Sequence, residues 1–132
     1  MALDFTGLPA PKFRYAPAVE AAGMVRTAGM VGLDPASGKL AEGGAAAEFS
    51  QILANLGTFL AANGFSRRDV FAANIFVTDF AAFGAINTIW DAFFDDDAAL
   101  PARTSVGVSA LPIGAAVEAD FTLARRAAPS GA

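Results

Sequence analysis

The chain has 132 residues, a formal net charge of −4, and neither cysteine nor histidine. That length supports one domain with a real core. The missing residue types exclude disulfides, a thiolate nucleophile, metals ligated by Cys or His, and any Ser-His-Asp mechanism.

No run of Lys or Arg exceeds a pair (Arg67-Arg68, Arg125-Arg126), so the basic stripe of a nucleic-acid binder is missing. Acid/base work must fall to carboxylates, tyrosine, lysine, main chain or water. Hydrophobic residues make up 55% of the chain and twelve are phenylalanine. So small a monomer has too much surface to hide that load, which favours an oligomer. Met1 to Phe5 lacks a basic region followed by an apolar run, and no stretch of about 18 apolar residues exists to span a membrane. Cytoplasm is the expected compartment.

Taken in chain order, residues 1–12 read as a loose end and Tyr15 to Val19 as a short extended piece. Met24 to Thr27 reads as a strand, followed by a loop over Gly32 to Gly38 with two turn signals. The clearest element is a helix from Gly44 to Asn63. Phe49, Ile52, Leu53, Leu56 and Leu60 recur at helical spacing, and Gly64 is placed to end it. Ser66-Arg67-Arg68-Asp69 is a capped turn. Phe71, Ala73, Ile75 and Val77 then alternate with Ala72, Asn74, Phe76 and Thr78, which predicts a strand with the first set on the core.

Thr78 or Asp79 can cap a second helix whose apolar stripe is Phe83, Ile86, Trp90 and Phe93 or Phe94. Two strands follow, over 103–110 and 116–125. In the first, Val106, Val108 and Ala110 are expected on the core and Arg103, Ser105 and Gly107 on the polar face. In the second, Val117, Ala119, Phe121 and Leu123 oppose Glu118, Asp120 and Thr122. Residues 127–132 read as a second loose end. The whole is a single α+β domain over 1–132, a mixed sheet with two helices packed on one face. The other sheet face is expected to carry Phe76, Ser105 and Glu118, a semi-polar surface suited to meeting another subunit.

On chemistry, Arg103, Glu118 and Tyr15 stand out. Each alone has a structural reading: a solvated strand start, an exposed acid and a packed edge aromatic. The loop from Gly29 to Gly38 lacks the spacing of a phosphate-binding motif. Asp95-Asp96-Asp97 reads as a solvated helix terminus, since metal loops space their ligands.

The run Pro101-Ala102-Arg103-Thr104-Ser105-Val106-Gly107-Val108, then Leu111-Pro112, then Val117-Glu118-Ala119, resembles the C-terminal motif of the RidA/YjgF family. Asn87 with Trp90 and Phe93-Phe94 is similar to the family's Asn-x-x-aromatic-x-x-Phe-Phe helix. Phe76-Val77-Thr78-Asp79, Thr27-Ala28-Gly29 and Asp34-Pro35-Ala36-Ser37-Gly38 match further family segments, and Tyr15 falls where the family carries an active-site tyrosine. The similarity runs from about Tyr15 to Arg126.

The resemblance implies a chorismate-mutase-like fold and a homotrimer with clefts between subunits. It also implies hydrolysis of reactive imines or enamines, such as 2-aminoacrylate, to 2-keto acids and ammonia, with no metal or cofactor. In that reading Arg103 holds the substrate carboxylate and Glu118 activates water. Tyr15 closes the pocket, Asn87 supports it, and main-chain groups of Gly29 and Ser105 contact substrate. Three departures bear on substrate range: Ala28 replaces a serine, Met30 a glutamine, and Ser105 a cysteine. The alternatives are a non-catalytic trimer that binds small carboxylates and an endoribonuclease or translation inhibitor. The charge and the missing histidine argue against the latter.

Overall fold

The structure, a computed structural model, describes residues 2–126; the loose end expected at 127–132 lies outside them. Strands β1 (Ala18–Ala21) and β2 (Met24–Thr27) form a hairpin. Ala22 and Gly23 close it, both at positive φ, as a two-residue turn with native twist requires. Then follow β3 (Met30–Val31), helix α1 (Ala45–Ala62), β4 (Val70–Val77), helix α2 (Phe83–Phe93), β5 (Ala102–Gly107) and β6 (Val117–Leu123). The sheet order is β1-β2-β6-β4-β5, with β3 also paired to β6. Among the described residues only β4 and β5 run parallel, and α2 is the crossover between them.

Both helices pack on one face of this mixed sheet. Phe49, Ile52, Leu56, Phe59 and Leu60 of α1 and Ile86 and Trp90 of α2 close over Ala73, Ile75 and Val77 of β4 and Val117, Ala119, Phe121 and Leu123 of β6. The helix of the sequence analysis matches α1 with its flanking residues, and Gly64 takes a φ of +71° just beyond it. Ser66 and Asp69 form the expected capping box, and Asp79 accepts the Ala81 N–H at 2.9 Å where the second helical segment begins. Asp96, from the aspartate run, likewise caps a short turn through the Ala98 N–H. Among the described residues no helix is long and apolar enough to cross a membrane.

Four expectations need correction. The N-terminal segment is not loose. Leu3, Phe5 and Leu8 lie against the core, Phe5 stacks on Phe59 with ring centres 6.0 Å apart, and Asp4 and Asn63 exchange two hydrogen bonds at 2.7 and 2.9 Å. The outer flank of α1 needs that cover. The extended piece begins at Ala18 rather than Tyr15, because the ladder ends where Ala28 N–H donates to Pro17 C=O. A bulge between Val70 and Ala72 puts Val70 and Ala73 on the core and turns Phe71 off it.

The sidedness of β5 is the reverse of that expected. Arg103, Ser105 and Gly107 pair with Ala73, Ile75 and Val77, so they share the helix side of the sheet. Val106 pairs with Phe76 on the open side and is 38% exposed. Alternation in an edge strand shows which residues share a face. It does not show which face the helices cover.

Candidate functional site

Arg103 leaves the edge strand β5 toward α2. Its Nη2 donates to Asn87 Oδ1 at 2.6 Å, and its guanidinium sits 5.0 Å over the Trp90 ring. Asn87 and Trp90 are three residues apart on α2 and therefore occupy one helix face. Asn87 fixes one prong of the guanidinium while Trp90 supports its plane. The side chain is otherwise exposed, which leaves donors free for a planar acceptor such as a carboxylate. Ser105 follows on the same side; its Oγ is sealed from solvent with no hydrogen-bond partner among the described residues. Among the described residues no strand lies beyond the outer edge of β5, so its unpaired main-chain groups face outward.

Glu118 lies on the open side of the sheet, level with Phe76 of β4 and Val31 of β3. It borders a cleft of about 220 Å³ with Phe13, Tyr15, Gly29, Val31 and Ile113. Tyr15 stands at the mouth, 48% exposed. Gly29 is needed here for space: a Cβ at that position would fall 2.6 Å from Glu118 Oε2 and push the carboxyl aside. Burial, and then the charge of Asp120, hold the Glu118 carboxyl above the ordinary glutamate range. It accepts no hydrogen bond among the described residues. A part-buried carboxyl of raised pKa without a structural partner is suited to carrying protons.

The walls of this cleft are pinned by α1. Glu48, only 6% exposed, accepts the Ala116 N–H at 2.9 Å two residues before Glu118. Asn55 donates to Leu33 C=O at 2.9 Å and holds the loop after β3. Thr27 Oγ1 accepts the Phe121 N–H at 3.0 Å, bridging the gap where the partner of β6 changes from β2 to β3. Of the three departures, Ala28 borders the cleft, Met30 packs toward the core, and Ser105 is on the other side of the sheet.

The candidate residues thus form two groups. Tyr15, Gly29 and Glu118 meet in the cleft; Arg103 and Asn87 meet at the α2 edge, with Ser105 beside them on β5. Sequence reasoning missed Trp90 as the platform of Arg103, although its spacing from Asn87 carries that signal. It also missed Glu48, a carboxylate inside the buried face of α1. Ile113 was missed too; it sits at the cleft wall with φ +54°, a left-handed conformation that β-branched residues rarely adopt. No spacing rule marks that residue.

A mixed sheet with two helices on one face, an arginine at its edge and an acid against a glycine on its open side defines a small α+β domain of the chorismate-mutase-like class. The chain belongs to the RidA/YjgF family: the family model described as Endoribonuclease L-PSP matches residues 6–124. It is similar to the 2-iminobutanoate/2-iminopropanoate deaminase of Mus musculus, 38% identical over 116 residues that cover 88% of this chain and 84% of the mouse protein. Among solved structures, RidA from an Antarctic Psychrobacter superposes with a TM-score of 0.87 at 31% identity, covering 95% of this chain and 99% of that one. TdcF of E. coli with bound serine superposes with a TM-score of 0.86 at 26% identity, covering 96% and 99%.

Proposed function

We propose that this chain hydrolyses 2-imino acids and their enamine tautomers, such as 2-aminoacrylate, to 2-keto acids and ammonia, in sites shared between subunits of a homotrimer. The observation that carries this reading is the Glu118 carboxyl, held above its ordinary range beside Gly29 in an open cleft. Two further findings support it: the mouse relative is named for this reaction, and the serine bound to TdcF carries the carboxylate of an amino acid.

In the reaction, Arg103 grips the substrate carboxylate through parallel N–H donors, with Asn87 and Trp90 fixing the guanidinium. The protonated imine carbon is already electrophilic. Glu118 takes a proton from water as the C–O bond forms, giving a carbinolamine. It then returns that proton to the nitrogen, the C–N bond breaks, and ammonia leaves. The remaining hydroxyl gives up its proton to yield the keto acid. Tyr15 limits access to the cleft, and the Gly29 and Ser105 main chains contact substrate.

The position of the two groups supports a site shared between copies of the chain. One small imino acid cannot bridge side chains on opposite sides of one sheet, but an Arg103 edge of one copy set against the Glu118 cleft of the next brings them together. The open face, with Val19, Met24, Phe76 and Val106, offers apolar surface for such contacts. RNA cleavage gains no comparable support from a chain of net charge −4 without histidine.

The test is ammonia release from imines generated in place by an amino-acid oxidase. The reading predicts release faster than in buffer alone. Carboxylate binding at the buffer rate of release would leave a binding protein instead.

A further inference from the structure

A second carboxylate shares the open face with Glu118. Asp120 follows it by two residues in β6, so both side chains leave the same face with Cα atoms about 7 Å apart. Asp120 is 8% exposed, a depth that carboxylates rarely reach unless paired. Its partners come from the strands on either side. Asn74 Nδ2 of β4 donates to Asp120 Oδ1 at 2.8 Å, and Arg26 Nη2 of β2 lies 3.9 Å from Asp120 Oδ2. The hydrogen bond fixes the carboxylate; Arg26, with 63% of its side chain exposed, screens it only in part.

We propose that Asp120 is a positioning residue for the reaction: fixed by Asn74 and partly screened by Arg26, its negative charge sets the pH at which the Glu118 carboxyl changes from proton donor to proton acceptor. The proposal rests on the reading of Glu118 as the group that carries the proton. The upward displacement of Glu118, with Asp120 as its second cause after burial, agrees with the geometry.

Within one copy the other titratable groups around Glu118 are few, and the proposed assembly adds Arg103 of a neighbouring copy, which every variant compared below retains. Arg26 approaches from β2, and Lys12 and Tyr15 line the cleft from the N-terminal segment. Val31 of β3, Asn74 and Phe76 of β4 and Ile113 of the preceding turn do not titrate. Asp120 is therefore the one acid that faces Glu118 among the described residues. A fixed negative charge there favours the protonated acid, which makes Glu118 a stronger base toward water and keeps its proton for the departing nitrogen.

The test compares the intact protein with Asp120→Asn, Asp120→Glu and Arg26→Gln by two readouts. One is the acid limb of the kcat/KM–pH profile. The other is the carboxyl titration of Glu118 in protein labelled with 13C-glutamate; the chain has four glutamates, and Glu118→Gln assigns the signal. Asp120→Asn should move both midpoints down by about half a pH unit, and Arg26→Gln should move both up. Asp120→Glu should restore most of the parental profile. A purely structural role would lower thermal stability without opposite shifts in the two variants. Parental titrations in both variants would overturn the proposal. If Asp120→Asn does not fold, Asp120→Thr, the residue type already present at Thr122 of the same strand face, takes its place, and an unmoved midpoint in that variant refutes the coupling. Parental turnover in Glu118→Gln would instead refute the proton-carrier reading, while the titration, which needs no turnover, still decides whether Asp120 governs Glu118.

Discussion

Arg103 and Glu118 stand on opposite sides of the sheet, with β4 between their strands. Arg103 is level with Ala73 and Glu118 with Phe76, so three residues of β4 separate them along the strand. With one strand spacing on either side of β4, their Cα atoms are about 14 Å apart and their side chains diverge. A guanidinium that holds a carboxylate and a base that activates water for the adjacent carbon must approach one another within a few ångströms. Under the proposed mechanism that requires two copies of the chain.

The first expectation is therefore assembly. Sedimentation at micromolar concentration should give a trimer; a monomer would remove the shared site and with it the proposed mechanism.

Arg103 is exposed, so replacing it should cost the fold less than about 1–2 kcal/mol. Lysine keeps the charge but supplies a point donor, and it loses the planar contacts to Asn87 and Trp90. Arg103→Lys should retain the assembly and weak carboxylate binding while kcat/KM falls about tenfold or more. Arg103→Ala should lose binding too. Parental turnover in the lysine variant would show that charge alone suffices.

Glu118→Gln should fold, keep carboxylate binding and lose roughly a hundredfold or more in turnover. It should also be the more stable protein at neutral pH. With its carboxyl held above the ordinary glutamate range, the folded chain retains a proton that the unfolded chain has released. Stability then falls as pH rises from the ordinary glutamate value through the folded one. The variant removes that loss, so its melting temperature should exceed the parent's at pH 7, and the difference should vanish below the ordinary glutamate value. Melting curves across pH check both signs.

How far the sequence reached differs between elements. Met24–Thr27 and Ala45–Ala62 were legible because their signals are local: a strand closed by turn residues, and an apolar stripe ended by Gly64. The packing of Phe5 on Phe59 was not, because residues 2–12 have no periodicity and their partner lies more than fifty residues away. The site residues were legible as a motif, yet their sidedness was not. β5 alternates apolar and small or polar residues, and the expectation that its valines face the core was the reverse of the arrangement that Phe80 over Gly107 and Trp90 under Arg103 create. Glu48 escaped because an acid within an apolar helix face declares itself only through its partner, the Ala116 N–H.

Ala28, where the resemblance leads one to expect serine, borders the cleft beside Gly29. Ala28→Ser adds a hydroxyl to the cleft wall and should shift the ratio of kcat/KM between small and large apolar imines without abolishing either. Unchanged ratios across a substrate series would show the position to be neutral.

The most direct test of the shared site is complementation between two inactive variants. Arg103→Ala keeps Glu118, and Glu118→Gln keeps Arg103, so neither alone should release ammonia from an imine above the buffer rate. Coassembled at equal amounts, random mixing gives roughly a quarter of the interfaces an intact arginine from one subunit and an intact glutamate from the next. The account predicts recovery of about that fraction of parental turnover on coassembly. Mixed trimers that form but remain at the rate of the separate variants would contradict it.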